Sequence, residues 1–270
     1  MDDIMMVIEK IEQPIELKGF GLFKLNNIDG KWNLEILVQK GIGIPLIENF
    51  KELYQDEIIK NQEGNSIIPL DEYFLQINYY KMEEDCIIIF IYMNDKENSF
   101  NYAQIYLVSK KILNFIRTQT DFLESELNDY CDTLLQIPKA KGLGALFIIS
   151  SSGSPFISVI NQKKINIAKN EVHIGGFISA IFSFSQEIIG QESGAKLKEI
   201  NFGDQRLYVI TKGSVIFALL VKELNPLLQR YIYIIADEFL DKFKTKIKEF
   251  SGDISPFRTF RHTITKYFEI

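Results

Sequence analysis

The sequence predicts an α+β protein of two small domains, each with a central antiparallel sheet of about five strands packed with helices. Its 270 residues are enough for two domains of ordinary size. The hydrophobic fraction of 46% and the charged fraction of 24% are typical of a chain that buries a core. Short apolar or alternating segments, bounded by turn residues, recur between segments that carry apolar residues at helical spacing.

The first half shows this pattern more faintly than the second. In chain order, the predicted elements are strands at residues 21–25 and 32–38, a helix at 46–59, strands at 73–80 and 86–93, and a helix at 101–117. The last helix is predicted to turn Tyr102, Ile105, Ile112 and Ile116 inward. One strand of the five is not evident, although the element at 71–80 is long for a single strand. The sequence therefore indicates a repeat of the second half without establishing it.

The second half gives the clearer order, β-β-α-β-β-β-α. Its predicted elements are strands at residues 145–151 and 156–160, a helix at 171–190, strands at 196–202, 206–211 and 214–221, and a helix that Ser251-Gly252 ends. Turn residues Ser152-Gly153-Ser154-Pro155 join the first two strands. Asn225 and Pro226 are typical of an N-cap and first helical position. The inward stripe of the first helix is predicted to contain Ile174, Phe177, Ile178, Ile181, Phe182 and Ile188.

These elements predict four segments along the chain. Residues 1–118 form a first domain, 119–142 a helical connector, 143–252 a second domain and 253–270 an amphipathic C-terminal tail. The connector is inferred from a charged helical stretch that ends at Pro138-Lys139.

Composition argues against several functions. The net charge of −6 leaves no broad basic field for a nucleic acid backbone, so we expect no nucleic-acid partner. Cys86 and Cys131 lack CxxC spacing and fit a reducing compartment. The acidic start Met1-Asp2-Asp3 does not resemble a secretion signal, and no apolar run approaches the ~20 residues of a spanning helix. We therefore expect a cytoplasmic protein that contacts membranes peripherally at most.

Catalytic and cofactor motifs are absent from the sequence. There is no P-loop, and Gly41-Ile42-Gly43 and Gly142-Leu143-Gly144 lack the third glycine of a dinucleotide site. Ser150-Ser151-Ser152-Gly153 is not a nucleophile elbow. The two histidines, His173 and His262, have no other ligand at metal-binding spacing. The sequence thus predicts no enzyme, no cofactor and no metal.

Part of the second half resembles a known family. The strand with its SGSP hairpin (145–155) and the run INFGDQRLYVITKGS (200–214) resemble the longin domains of the Mon–Ccz and Fuzzy families and longin-type proteins of Asgard archaea. The likeness spans residues 144–250. It implies a longin/roadblock-type domain that pairs with another longin or roadblock protein, including itself, and binds or activates a small Rab-class GTPase at membranes. Exchange factors of this type act through a contact surface, so the resemblance implies no catalytic residue.

Two features are candidate partner-binding surfaces. The first is a strip of small residues on the helix at 171–190, formed by Gly176, Ser179, Ala180 and Ser183. Small side chains permit close backbone approach, so the strip is able to receive another helix or a sheet edge. The alternatives are a plain exposed face or a close helix-to-sheet contact within the domain.

The second candidate is the C-terminal tail, where Phe257, Phe260 and Ile264 recur at helical spacing with Tyr267 and Phe268. A basic amphipathic helix of this kind lies on an anionic membrane or in a partner groove. The alternative, which we favour, is that the tail folds back over its own domain or the neighbouring one, because a free aromatic stripe would promote aggregation.

The sequence thus favours an interaction protein, a tandem-longin scaffold or regulator of a small Ras/Rab-like GTPase in vesicle trafficking. A small-molecule sensor with a profilin-like fold is the alternative. A sensor needs inward polar groups, whereas these strands place Ile, Phe and Leu on the faces expected to be inward.

Overall fold

The computed structural model describes residues 13–97, 100–119, 123–161, 171–185, 187 and 198–270. The chain divides into two compact units, of which the first ends at Pro138 and the second comprises Lys139–Ile270. Each unit contains a five-stranded sheet in which every neighbouring pair is antiparallel. The predicted α+β fold class is therefore confirmed.

The first unit has one more strand than the sequence analysis found. Its elements are β1 Ile15–Glu16, β2 Gly19–Ile28, β3 Lys31–Lys40, α1 Ile44–Asn61, β4 Gly64–Leu70, β5 Tyr73–Glu83, β6 Cys86–Asp95, α2 Tyr102–Thr118, α3 Glu124–Leu134 and β7 Leu135–Gln136. The missed strand is β4, at the edge of the sheet order β3-β2-β6-β5-β4. An edge strand tolerates Pro69 and is only half-buried, so its apolar signal is weak.

The second unit follows the order predicted from the sequence. Its elements are β8 Leu143–Ser150, β9 Pro155–Ile160, α4 Glu171–Ser185, β10 Glu199–Phe202, β11 Gln205–Lys212, β12 Val215–Val221, α5 Pro226–Lys248, a 3₁₀ helix Ser255–Phe260 and α6 Arg261–Tyr267. The sheet order is β9-β8-β12-β11-β10. The side chain of Asn225 caps α5 by accepting a hydrogen bond of 2.8 Å from the backbone N–H of Leu228.

The two units share one topology. Numbered within each unit, the five strands lie in the order 2-1-5-4-3. The helix after the second strand packs on one face of the sheet, and the helix after the fifth strand packs on the other. The first half of the chain is thus a topological repeat of the second, as the sequence indicated.

The repeat extends beyond the sheets and corrects the predicted connector and tail. Helix α3 buries Leu127, Cys131 and Leu134 in the first core, so it belongs to that unit and is not a free connector. The 3₁₀ helix and α6 occupy the corresponding place in the second unit, which makes residues 253–270 part of its core. In both units, residues that follow the last helix form a parallel bridge with residues that precede the sheet. Leu135 pairs with Ile15 in the first unit, and Phe268 pairs with Ala140 in the second. Burial of their apolar side chains holds these segments in place.

The middle strand of each sheet is buried on both faces. In β6, Ile88, Phe90 and Tyr92 face α2 and α3, whereas the alternate residues face α1. In β12 every residue is buried. This two-sided burial explains why both strands appear in the sequence as continuous apolar runs without alternation.

Tyr102, which was predicted to point inward, lies at the surface of the first unit and is 55% exposed in the first turn of α2. Within the part of the chain that the structure describes, no helix is both long enough and apolar enough to cross a membrane.

Candidate functional site

Helix α4 carries an exposed face that has no charged side chain, which we call the α4 face. It consists of Gly176, Phe177, Ala180, Ser183 and Phe184. Phe177 is 48% exposed and Phe184 is 64% exposed. A β-carbon added at Gly176 would meet no atom within 4 Å, so the backbone there is open to close approach. The α4 face is therefore a strip of small residues with two exposed phenylalanines beside it.

The edge strand β10 extends this apolar surface. Phe202 is 43% exposed, and its ring centroid lies 6.2 Å from that of Phe177. This ring contact links the helix surface to β10, which is the outermost strand of the sheet among the described residues. The α4 face and β10 thus form one continuous patch.

The opposite side of α4 is fixed by a close contact with the β8–β9 turn. A β-carbon on Gly175 would lie 2.7 Å from the carbonyl oxygen of Gly153, so only glycine fits there. Ser179 is buried, and its Oγ donates a hydrogen bond of 2.6 Å to the carbonyl of Ser151. These contacts set the rotation of α4 about its axis.

That rotation separates the predicted small-residue strip into two parts. Gly176, Ala180 and Ser183 point outward. Ser179 instead contacts the β8–β9 turn of its own domain, and a contact within the domain was one of the alternatives to partner binding. Ile174, Ile178 and Phe182 pack on the sheet. Phe177, which was predicted to point inward, lies outside this stripe because Gly175 and Ser179 occupy the side next to the turn. Ile188, Gly190 and the start of the strand predicted at 196–202 lie outside the described residues.

The topologically equivalent helix of the first unit offers an internal comparison. Helix α1 has an exposed face rich in charge, formed by Glu48, Lys51, Glu52, Asp56, Glu57 and Lys60. Between residues 172 and 185, α4 has no Asp, Glu, Lys or Arg at all. A surface helix usually carries charged side chains on its outer face, and this stretch of α4 does not. The difference between two equivalent helices is therefore specific to α4 and is not a property of the fold.

The other predicted partner-binding residues have a different placement. Phe257, Phe260 and Ile264 are exposed by only 1%, 1% and 0%. They pack in the second core against the sheet and α5. As placed, they offer no surface to a membrane or a partner, which corrects their assignment as binding residues. Their burial agrees with the alternative that the segment covers its own domain.

A hydrogen-bonded pair of ionisable side chains connects two helices of the second unit. The hydroxyl of Tyr267 on α6 donates a hydrogen bond of 2.5 Å to Oε1 of Glu238 on α5. Burial raises the pKa of the Glu238 carboxyl, and burial followed by the nearby carboxylate raises the pKa of Tyr267 well above its ordinary value. This pair is a structural contact between two helices.

The described residues do not bring metal ligands together. Among them, no group of three or more His, Cys, Asp or Glu is arranged to hold a metal ion. His173 on α4 and His262 on α6 are both exposed.

The chain has matches among solved structures but none among family models or curated proteins. No protein-family model and no curated protein matches the chain. Among solved structures, the chain is similar to the crystal structure of a Roadblock/LC7 domain from Streptomyces avermitilis, with a TM-score of 0.30 and 13% sequence identity. The match covers 38% of this chain and 86% of that one. The fold and the patch themselves define the class, an α+β protein of two topologically repeated units with an apolar surface on the second.

Proposed function

We propose that this chain is an interaction protein, a tandem longin-type scaffold or regulator of a small Ras/Rab-like GTPase in membrane-associated processes. Its partner is the GTPase itself, another longin or roadblock chain, or a second copy of this chain. Regulation includes nucleotide exchange by contact, since this sequence has no P-loop of its own and the nucleotide belongs to the partner.

The observation that carries the proposal is the α4 face. Two phenylalanines exposed by 48% and 64% on an uncharged helix are costly in water and are stabilised when a partner covers them. The small side chains of Gly176, Ala180 and Ser183 let a partner backbone approach closely, which raises the contact area. Phe202 on β10 enlarges the same patch. The repeated β-β-α-β-β-β-α order supports a longin-type module in both units.

The test is a charge introduced at the centre of the patch. Ala180→Arg places a long cation where a partner must approach, and Glu52→Arg on α1 is the matched control on the equivalent helix of the other unit. We expect Ala180→Arg, and not Glu52→Arg, to lower the mass of the assembly in light scattering or to remove a partner from a pull-down of native extract. Circular dichroism checks that both variants are folded.

The GTPase part of the proposal has its own readout. Any GTPase that the wild-type chain recovers is loaded with a fluorescent nucleotide, and its release is timed with wild type and with Ala180→Arg. Faster release with wild type alone supports exchange through the α4 face, and binding without faster release supports a scaffold. An assembly and a set of recovered partners that Ala180→Arg leaves unchanged would refute the α4 face as the binding surface.

A further inference from the structure

The first unit contains a cleft, lined by amide and tyrosine side chains, that the proposed function does not use. It has a volume of about 570 Å³ and lies between the start of β4, strand β5 and helix α2. The residues that line it are Glu63, Gly64, Asn65, Gln76, Asn78, Tyr80, Tyr102 and Tyr106. Amides and tyrosines thus occupy a sheet face that the sequence predicted to be filled by Ile, Phe and Leu.

The inner wall of the cleft is a network of buried polar groups. Gln76 and Asn78 are exposed by only 6% and 4%. Gln76 Nε2 donates to Asn78 Oδ1 at 3.3 Å, and Asn78 Nδ2 donates to Ser109 Oγ at 3.4 Å. Ser109 in turn hydrogen-bonds the hydroxyl of Tyr92 at 2.8 Å. The network holds both amides in place beneath the opening.

One atom of this network has no protein partner. Gln76 Oε1 is buried and accepts no hydrogen bond from any residue that the structure describes. A buried acceptor without a donor costs about as much free energy as a lost hydrogen bond. The oxygen itself has almost no surface open to solvent, so a ligand N–H reaches it only when the Gln76 side chain, which lines the cleft, rotates toward the opening.

The outer wall of the cleft presents aromatic rings. Tyr102 is 55% exposed and Tyr106 is 53% exposed, one helical turn apart on α2. Lys110, one turn further, lies with Nζ 4.8 Å from the ring centroid of Tyr80 and 5.4 Å from that of Tyr106. Lys110 is therefore a neighbour of the aromatic wall, although it is not among the residues that line the cleft.

The equivalent region of the second unit is closed by its own side chains. There Tyr208 on β11 is buried in the core together with residues of α5. Lys212 Nζ also lies 2.5 Å from Oδ1 of Asp237 on α5. Strand and helix thus satisfy each other's polar groups in one unit, and the first unit keeps an unsatisfied amide and two exposed rings.

We propose that this cleft binds an uncharged planar molecule with a nucleobase-type edge, its ring stacked on Tyr102 or Tyr106 and its N–H donating to Gln76 Oε1 once the Gln76 side chain has rotated toward the opening. A carboxamide offers an acceptor and a donor side by side, which matches the paired donor and acceptor of a base edge. Tyrosine faces stack on bases regardless of sequence. Glu63 lines the cleft and Lys110 lies beside Tyr80 and Tyr106, so the two charges oppose each other and an uncharged ligand suits the cleft.

The test is calorimetric titration of the full chain with adenosine, guanosine, cytidine and uridine, each alone. We expect at least one nucleoside to bind. Gln76→Leu removes the amide at similar size and should raise the Kd about fivefold. Tyr106→Leu removes a stacking face and should raise it at least about fivefold.

Tyr233→Leu on the equivalent helix of the second unit is the matched control and should leave the Kd unchanged. Thermal unfolding reports whether each variant is folded. If Gln76→Leu does not fold, Tyr102→Leu at the exposed outer wall takes its place. The proposal is overturned if no nucleoside binds in the millimolar range, or if the cleft variants and Tyr233→Leu change the affinity equally. Because none of these measurements uses a protein partner, the outcome is independent of the α4 face.

Discussion

Replacement of Phe257 by alanine tests whether the C-terminal segment is part of the second core. The Phe257 ring is 1% exposed, and its centroid lies 4.7 Å from that of Phe156, 5.1 Å from Phe243 and 5.7 Å from Phe239. A buried Phe→Ala change removes the transfer free energy of the ring and leaves a cavity, at a cost of about 3–5 kcal/mol. Because the ring also contributes aromatic contacts of ~0.5–1.5 kcal/mol each, we expect a value in the upper part of that range.

The assay is urea unfolding followed by two signals. Far-UV circular dichroism reports on both units, whereas the single tryptophan, Trp32 on β3, reports on the first. The part of the dichroism transition that Trp32 fluorescence does not follow reports on the second unit. Phe257→Ala should shift the midpoint of that part to a lower urea concentration. Phe184→Ala is the matched control, because that ring is 64% exposed and its loss should change the unfolding free energy by about 0.5 kcal/mol or less.

The result that refutes this reasoning is equality of the two variants. If Phe257→Ala unfolds at the same urea concentration as Phe184→Ala, residues 253–270 do not contribute to the core. The segment would then be the free amphipathic tail, the interpretation that the sequence analysis did not favour, with its aromatic stripe available to a partner.

Three further predictions concern single positions. Gly175→Ala should destabilise the chain by about 1–3 kcal/mol, because the added β-carbon meets a turn carbonyl. Gly176→Ala, on the open side of the helix, should stabilise the chain by about 1 kcal/mol or less. Thermal unfolding of the two variants checks this. Burial raises the pKa of Glu238 above 4.5, so the folded state holds that proton more tightly, and stability should fall as pH rises from about 4.5 through the folded-state pKa. Glu238→Gln should lack this fall in urea unfolding between about pH 4 and pH 8; an unchanged pH dependence would contradict the assignment. Burial raises the pKa of Cys131 to about 12, so a thiol reagent near neutral pH should modify the half-buried Cys86 first and reach Cys131 only on unfolding, as mass spectrometry would show.

The strand–helix order of the second unit was predictable because its signals are local. The SGSP turn, the Asn225 cap and the apolar run of β12 each follow from a few neighbouring residues. Strand β4 was not predictable, since an edge strand with one half-buried face has little apolar signal. Ile68 and Leu70, which alternate with exposed neighbours just before Asp71, were the available hint.

The candidate sites depend on contacts between segments distant in sequence. Phe177 fits the apolar stripe of α4 by spacing alone, and it is exposed only because Gly175 and Ser179 dock on the β8–β9 turn. Similarly, the alternation of residues along β5 predicts that Gln76 points outward. Only the packing of α2 across the sheet reveals that it is buried.

The sequence by itself determined the α+β class, the two units and the chain order of most elements, because turn chemistry and apolar periodicity act over a few residues. Tertiary structure alone decided that residues 123–138 and 253–270 complete the cores of the two units, and which face of α4 meets solvent. It also decided that an amide of β5 and tyrosines of α2 share one cleft. The physical reason is that the burial of a side chain depends on which surfaces of the fold come into contact. A single helix or strand does not determine those contacts, because its packing partners lie far away in the sequence.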